Sequence, residues 1–194
     1  PNDGNIRIKA GSNDAGQFLM ALDVLERAQG GRLLLTLDQR DTAGEMDGVL
    51  RVTDIKLQKM PLLAELLNAM SIVGLLDQLT GPGVIMNEID AVFRITDDQI
   101  IVQSASVLGP SMGITLDGYY NLESKTFDMQ GFFSPLYLVN GIGSILSRKG
   151  EGFFGFGFNL EGTTDRPRFI INPLTAITPT ILRDLFRRPP PKLE

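Results

Sequence analysis

The stretch Met60–Gly81, MPLLAELLNAMSIVGLLDQLTG, is the longest apolar run of the chain, and we interpret the other elements around it. Its apolar residues recur at spacings of three and four, which predicts a helix with an apolar stripe of Leu62, Leu63, Leu66, Leu67 and Met70. Pro61 suits a first helical turn, and Gly81 is followed by Pro82-Gly83, which stops a helix.

The polar residues of this stretch do not share one face of a single helix. They wind around the axis in the order Glu65, Asn68, Ser71 and Asp77. The helix is therefore either covered on most sides or broken near Ser71–Gly74 into two shorter helices. We favour the break, because Gly is unfavourable inside a helix and Ile72-Val73 is β-branched.

Most of the remaining chain alternates apolar and polar residues, as half-buried strands do. In the segment 49–57 the alternation places on one face Val49, Thr53, Ile55 and Leu57. After Ile85, turn residues follow roughly every twelve positions, at 96–99, 108–111 and 121–125. Further helices are expected at Asp14–Gln29, Tyr137–Leu146 and Thr178–Phe186. These patterns predict an α+β domain with a long, mostly antiparallel, twisted β-sheet and three or four packed helices.

The C-terminus has a different composition from the rest of the chain. We expect residues 1–188 to form one domain and residues 189–194 to form a Pro-rich tail. Leu193-Glu194 is typical of a vector-derived extension, so the chain is expected to be a piece of a longer protein. The basic residues near this end are interpreted as the solvated end of the last helix: Arg183, Arg187, Arg188 and Lys192.

Composition excludes several kinds of chemistry. The chain has no Cys and no His, which removes thiol nucleophiles, Ser-His dyads and the usual zinc sites. Its net charge of −5 makes it a poor partner for nucleic acid and gives it no attraction to anionic lipid headgroups.

Carboxylates are the remaining candidates for acid–base chemistry. Asp97-Asp98 is interpreted as a turn pair, and Asp117 and Glu151 lie at strand or turn positions. No pattern pairs two of them across a cleft, and the calcium-loop spacing is absent. The sequence therefore predicts no enzyme activity, no cofactor and no metal.

Short motifs rich in Gly and Pro follow one another over about residues 12–187. In chain order they are Gln29–Leu33, Asp47–Leu57, Met60–Ala64, Ser71–Asp77, Gly81–Gly83, Leu108–Gly113, Gly118–Leu122, Gly150–Phe154, Asp165–Pro167 and Asn172–Leu174. In order and kind they resemble the C-terminal region of AsmA-like envelope proteins, the family that includes YhdP-like and TamB-related members.

This resemblance implies a location and a role. AsmA-like proteins are anchored in the inner membrane of Gram-negative bacteria by an N-terminal helix, and they cross the periplasm as long β-sheets with an apolar groove. They take part in phospholipid transport between the inner and outer membranes and in outer-membrane integrity. The family has no catalytic motif. The resemblance therefore implies a non-catalytic periplasmic domain that binds phospholipid acyl chains, in a protein whose N-terminal anchor holds it to the membrane.

With this role in view, one strand carries the candidate lipid-facing residues: Phe154, Phe156, Phe158 and Leu160. They share one face, because they alternate with Gly155, Gly157 and Asn159. The alternative is an ordinary sheet face packed under helices, in a structural or interaction module of the envelope with a fully packed core. For Leu66 and Leu67 of the central helix we expect a place in the core. An open apolar sheet face favours lipid transport, and a fully covered one favours the module.

Overall fold

A long antiparallel sheet with helices packed on one face forms the protein, which confirms the predicted α+β class. The structure, a computed structural model, describes residues 6–40, 44–135, 155–172, 175 and 187–193. The helices of this part are α1 (Ala15–Ala21), α2 (Pro61–Ala69) and α3 (Val73–Thr80). The predicted helices at 137–146 and 178–186 lie outside the described residues.

The described part of the chain contributes ten strands to the sheet. They are β1 (Arg7–Ser12), β2 (Arg27–Gln29), β3 (Arg32–Gln39), β4 (Met46–Gln58), β5 (Val84–Ile95), β6 (Gln99–Leu108), β7 (Met112–Asn121), β8 (Thr126–Pro135), β9 (Phe156–Thr163) and β10 (Arg166–Asn172). Their spatial order is β1-β3-β4-β5-β6-β7-β8-β9-β10, with β2 paired to the far end of β4. The turns between β5 and β8 lie where the sequence predicts them.

The central apolar stretch is broken into two helices, as predicted. Ser71 adopts a left-handed conformation with φ 57°. The N–H of Ile72 donates to the carbonyl of Leu67 at 2.9 Å, and the N–H of Ser71 donates to that of Asn68 at 2.9 Å. This pair of bonds is a Schellman motif, which ends α2 and lets α3 start in a new direction.

The predicted helix at 14–29 is wrong in its second half, because α1 ends at Ala21. Asp23 adopts φ 55°, and its N–H donates to Met20 while that of Val24 donates to Leu19, again a Schellman motif. Arg27–Gln29 then forms β2 and pairs with β4. Ladder hydrogen bonds to a long neighbouring strand therefore prevail over the helical spacing of this segment.

The predicted alternation along β4 is also wrong, because the inward face changes parity within the strand. Val49 is half exposed, whereas Val52 and Ile55 are both buried. The change occurs at Asp54, which has φ 55° and directly follows Thr53, the last residue of β4 that pairs with β3. A left-handed residue interrupts the pleat, so the side chains on its two sides no longer follow one period of two.

The sheet curves around the helices. Six inter-strand steps separate β4 from β10, which would be about 29 Å in a flat sheet at about 4.8 Å per step. Nevertheless α2, which directly follows β4, packs against β10. We call the side that bears the helices the inner face and the opposite side the outer face.

A charged cluster stabilises the outer face near the β3–β4 turn. Arg94 Nε donates to Asp47 Oδ1 at 2.7 Å, and Arg40 Nη1 donates to Asp47 Oδ2 at 3.3 Å. Burial raises the pKa of Asp47, but hydrogen bonds and charge from Arg94 and Arg40 outweigh it, so this pKa lies below its usual value. The cluster satisfies Arg94, which is buried.

We predict that Leu67→Ala lowers the free energy of unfolding by about 2–5 kcal/mol, because it opens a cavity in the core. Leu67 has no solvent exposure. The matched control is Leu34→Ala, since Leu34 is 54% exposed on the outer face and its loss should change stability by less than about 0.5 kcal/mol. Urea unfolding measures both, and equal effects would contradict the assignment of α2 to the core.

We predict that Asp47→Asn destabilises the protein at neutral pH and that the difference from wild type shrinks in acid. A lowered folded-state pKa contributes stability above the unfolded value of about 3.9 and loses it as the pH falls through the folded value. Denaturant unfolding between neutral and acidic pH measures this difference. Asp38→Asn is the control, because its pair with Arg7 is exposed and should contribute little.

Candidate functional site: an apolar cavity on the inner face

A cavity of about 300 Å³ lies between the helices and the inner face of the sheet. Every described residue that lines it is apolar. They are Leu19, Val24 and Leu25 at the end of α1; Met60, Leu62, Leu63 and Leu66 around α2; and Leu50, Val52, Leu57, Met86, Ile89, Val107, Ile114, Leu116, Phe158, Leu160 and Phe169 on the sheet. A cavity without polar partners holds water poorly and favours apolar ligands.

Strand register extends this apolar surface across the sheet. One transverse row of directly paired inner-face residues runs from β3 to β9 without a polar member: Leu33, Val52, Ile89, Val107, Ile114, Phe133 and Phe156. Cross-strand neighbours of this kind pack side by side. The inner face is therefore one continuous apolar surface, of which the cavity occupies a part.

The inner face is only partly buried toward the turns at 96–98 and 122–125. Phe93, Val102, Tyr120 and Phe127 are half-buried there, and the rings of Tyr120 and Phe127 lie 5.0 Å apart. The face that bears the cavity therefore also carries apolar surface that retains access to solvent.

Two of the four candidate residues from the sequence line the cavity. Phe158 is 4% exposed and Leu160 is 1% exposed, and the ring of Phe158 meets that of Phe169 at 5.6 Å in an edge-on arrangement. Phe156 lies on the inner face and is partly buried against the core. Phe154 lies outside the described residues.

The cavity is lined both by the helix surface that the sequence analysis assigns to the core and by the strand face that it offers as lipid-facing. Leu66 of α2, expected in the core, lines the same cavity as Phe158, a candidate lipid-facing residue. Leu67 is buried as expected. Sequence reasoning missed the contributions of β6 and β7, namely Val107, Ile114 and Leu116. Their alternation marks them as inward-facing, but only the curvature of the sheet brings them opposite α2.

On the outer face, the C-terminal segment 187–193 packs against β7 and β8. The Gln130 side chain accepts from the Arg188 N–H at 2.9 Å and donates to the Arg188 carbonyl at 2.7 Å. Arg187 pairs with Asp117, and Arg188 pairs with Asp128 at 2.8 Å. The interpretation of these arginines as solvated is therefore wrong for Arg187, whose side chain is largely buried against Asp117. Arg188 is solvent-exposed as expected, although it pairs with Asp128.

The structure also shows how the carboxylates named as acid–base candidates are engaged. Asp117 is buried, and it accepts from Gln130 Nε2 at 2.8 Å as well as pairing with Arg187. Its oxygens are engaged in a structural network that fixes the C-terminal segment. Asp97-Asp98 lies in the β5–β6 turn, where Asp98 accepts from the Thr96 hydroxyl at 2.7 Å. Glu151 lies outside the described residues.

Within the described residues, no group of three or more His, Cys, Asp or Glu side chains is placed to hold a metal ion. None of the described helices has both the length and the apolar character required to cross a bilayer. Comparisons of the chain with protein-family profiles, curated proteins and solved structures each found no match.

We predict that the cavity binds a small apolar fluorescent probe and that Leu116→Phe weakens this binding severalfold by filling the space. Leu122→Phe is the control, because Leu122 is exposed and does not line the cavity. Probe titration measures the effect. Overpacking typically destabilises a core by about 1–3 kcal/mol, so thermal unfolding checks that the variant remains folded. Equal binding by both variants would place the probe elsewhere.

Proposed function

We propose that this chain is a non-catalytic, lipid-handling domain of the cell envelope, which takes part in phospholipid transport between the inner and outer membranes. The observation that carries the proposal is the cavity on the inner face, whose described lining is wholly apolar. The same face of the sheet carries partly exposed apolar residues toward the turns. An acyl chain is the envelope ligand that matches such a lining.

The size of the cavity fits part of one acyl chain. A volume of about 300 Å³ holds about ten methylene groups, if each takes about the 30 Å³ of a liquid water. The described lining offers no hydrogen-bond donor to a phosphate, and burying an unpaired ion is very unfavourable. The headgroup and the rest of the lipid would therefore stay outside the cavity.

The resemblance to AsmA-like proteins supports the same proposal and adds a location. In that setting the domain lies in the periplasm, as part of a protein anchored in the inner membrane. Its role there is to shield acyl chains from water while lipid moves, which requires binding and release without covalent chemistry.

A second candidate is a structural or interaction module of the envelope with a packed core and no lipid groove. The burial of Leu66 and Leu160 favours this alternative, because both side chains already belong to the packed core. In that case the cavity is a packing defect that stays empty in the cell.

Mass spectrometry of lipids extracted from the purified protein distinguishes the two functions. We expect near-stoichiometric phospholipid with the wild type, and much less with Leu116→Phe, which narrows the space for an acyl chain. Leu122→Phe, outside the cavity, should retain the wild-type amount. Lipid absent from the wild type, together with failure to take up added phospholipid, would favour the packed module.

A further inference from the structure

The turn between α1 and β2 exposes two aliphatic side chains. Leu22 is 58% exposed and Val24 is 61% exposed. The backbone of this turn is ordered, because the Schellman motif fixes it through hydrogen bonds from the N–H groups of Asp23 and Val24 to carbonyls of the last turn of α1. These two neighbouring apolar side chains are therefore held outward, where they are available for contact with a partner.

This turn is continuous with the cavity. Val24 is exposed to solvent and also lines the cavity, so it lies at the rim. Leu19 and Leu25 continue the lining inward from the same turn. Met60 and Leu62, at the start of α2, line the cavity as well, and both are half-buried. The rim is therefore formed by the end of α1 and the start of α2.

The size and charge of the α1–β2 turn favour one kind of partner. A stable protein interface involves about 20–30 residues and buries about 800 Å² on each partner, far more than two protruding side chains can provide. Neighbouring exposed charges balance, with Asp23 and Glu26 against Arg27 and, before Met60, Lys59. A shallow apolar tip without net charge suits a zwitterionic lipid surface, where anionic headgroups add no attraction.

We propose that the α1–β2 turn, Leu22–Leu25, docks the domain on a zwitterionic bilayer and that an acyl chain passes between bilayer and cavity over the adjoining rim. The proposal rests on the lipid-handling function and assigns the place at which lipid is exchanged. Leu22 is the docking side chain, because it protrudes and does not line the cavity.

The test compares Leu22→Ser with Leu34→Ser. Both replace a Leu that is more than half exposed, 58% and 54%, but Leu34 lies on the outer face. Flotation with phosphatidylcholine vesicles measures docking, and extraction of a fluorescent phosphatidylcholine from vesicles measures exchange. Binding of lysophosphatidylcholine below its critical micelle concentration measures cavity loading without a bilayer.

We expect Leu22→Ser to bind vesicles about tenfold more weakly, as loss of the burial of one Leu side chain requires, and to extract lipid correspondingly slowly. Its binding of monomeric lysophosphatidylcholine should equal that of wild type. Leu34→Ser should match wild type in all three measurements. Raising the salt concentration or the fraction of phosphatidylglycerol should not strengthen vesicle binding.

Wild-type docking and extraction by Leu22→Ser would overturn the proposal, as would binding that depends on phosphatidylglycerol. The proposed function fails separately if the wild type binds no lysophosphatidylcholine and extracts no lipid. If vesicle binding then still requires Leu22, the turn is a docking surface without lipid exchange, and the exchange part of the inference is wrong.

Discussion

The packing of α2 against β10 holds the sheet in its curved form. The helix follows β4 in the chain but contacts β10, the edge strand that lies six inter-strand steps away from β4. Its buried residues, Leu63, Leu66 and Leu67, need an apolar surface, and the inner face supplies one. Burial of this surface stabilises the curved sheet, and the curvature in turn creates the apolar space beneath the helix.

The same residues therefore serve stability and the candidate site. Leu66 and Phe158 are both buried and both line the cavity. A core with room for about ten methylene groups has given up some dispersion contacts that close packing would provide. Under the proposed function, a bound acyl chain would restore these contacts.

The two faces of the sheet are stabilised by different interactions. The inner face relies on apolar burial, whereas the outer face carries the Asp47–Arg94 pair and the network that joins Asp117 and Gln130 to the C-terminal segment. Buried polar groups on the outer face are acceptable because hydrogen bonds and opposite charges compensate them. This division keeps charge away from the cavity and leaves its described lining apolar.

Sequence patterns predict the class of the fold, the positions of the turns after Ile85, the break near Ser71 and the shared face of Phe156, Phe158 and Leu160. These features follow from local rules, namely the period of apolar residues and the conformations that Gly, Pro and polar residues favour. Four features emerge only from the folded structure: the end of α1, the change of parity at Asp54, the pairing of Arg187 with Asp117 and the cavity. Each of these features depends on contacts between residues that are distant in the chain. The segment Arg27–Gln29 pairs with β4 instead of extending α1, and the curvature of the sheet brings β7 and β10 close to α2. No local sequence pattern encodes these long-range contacts, because they form only when the whole inner face of the sheet is buried.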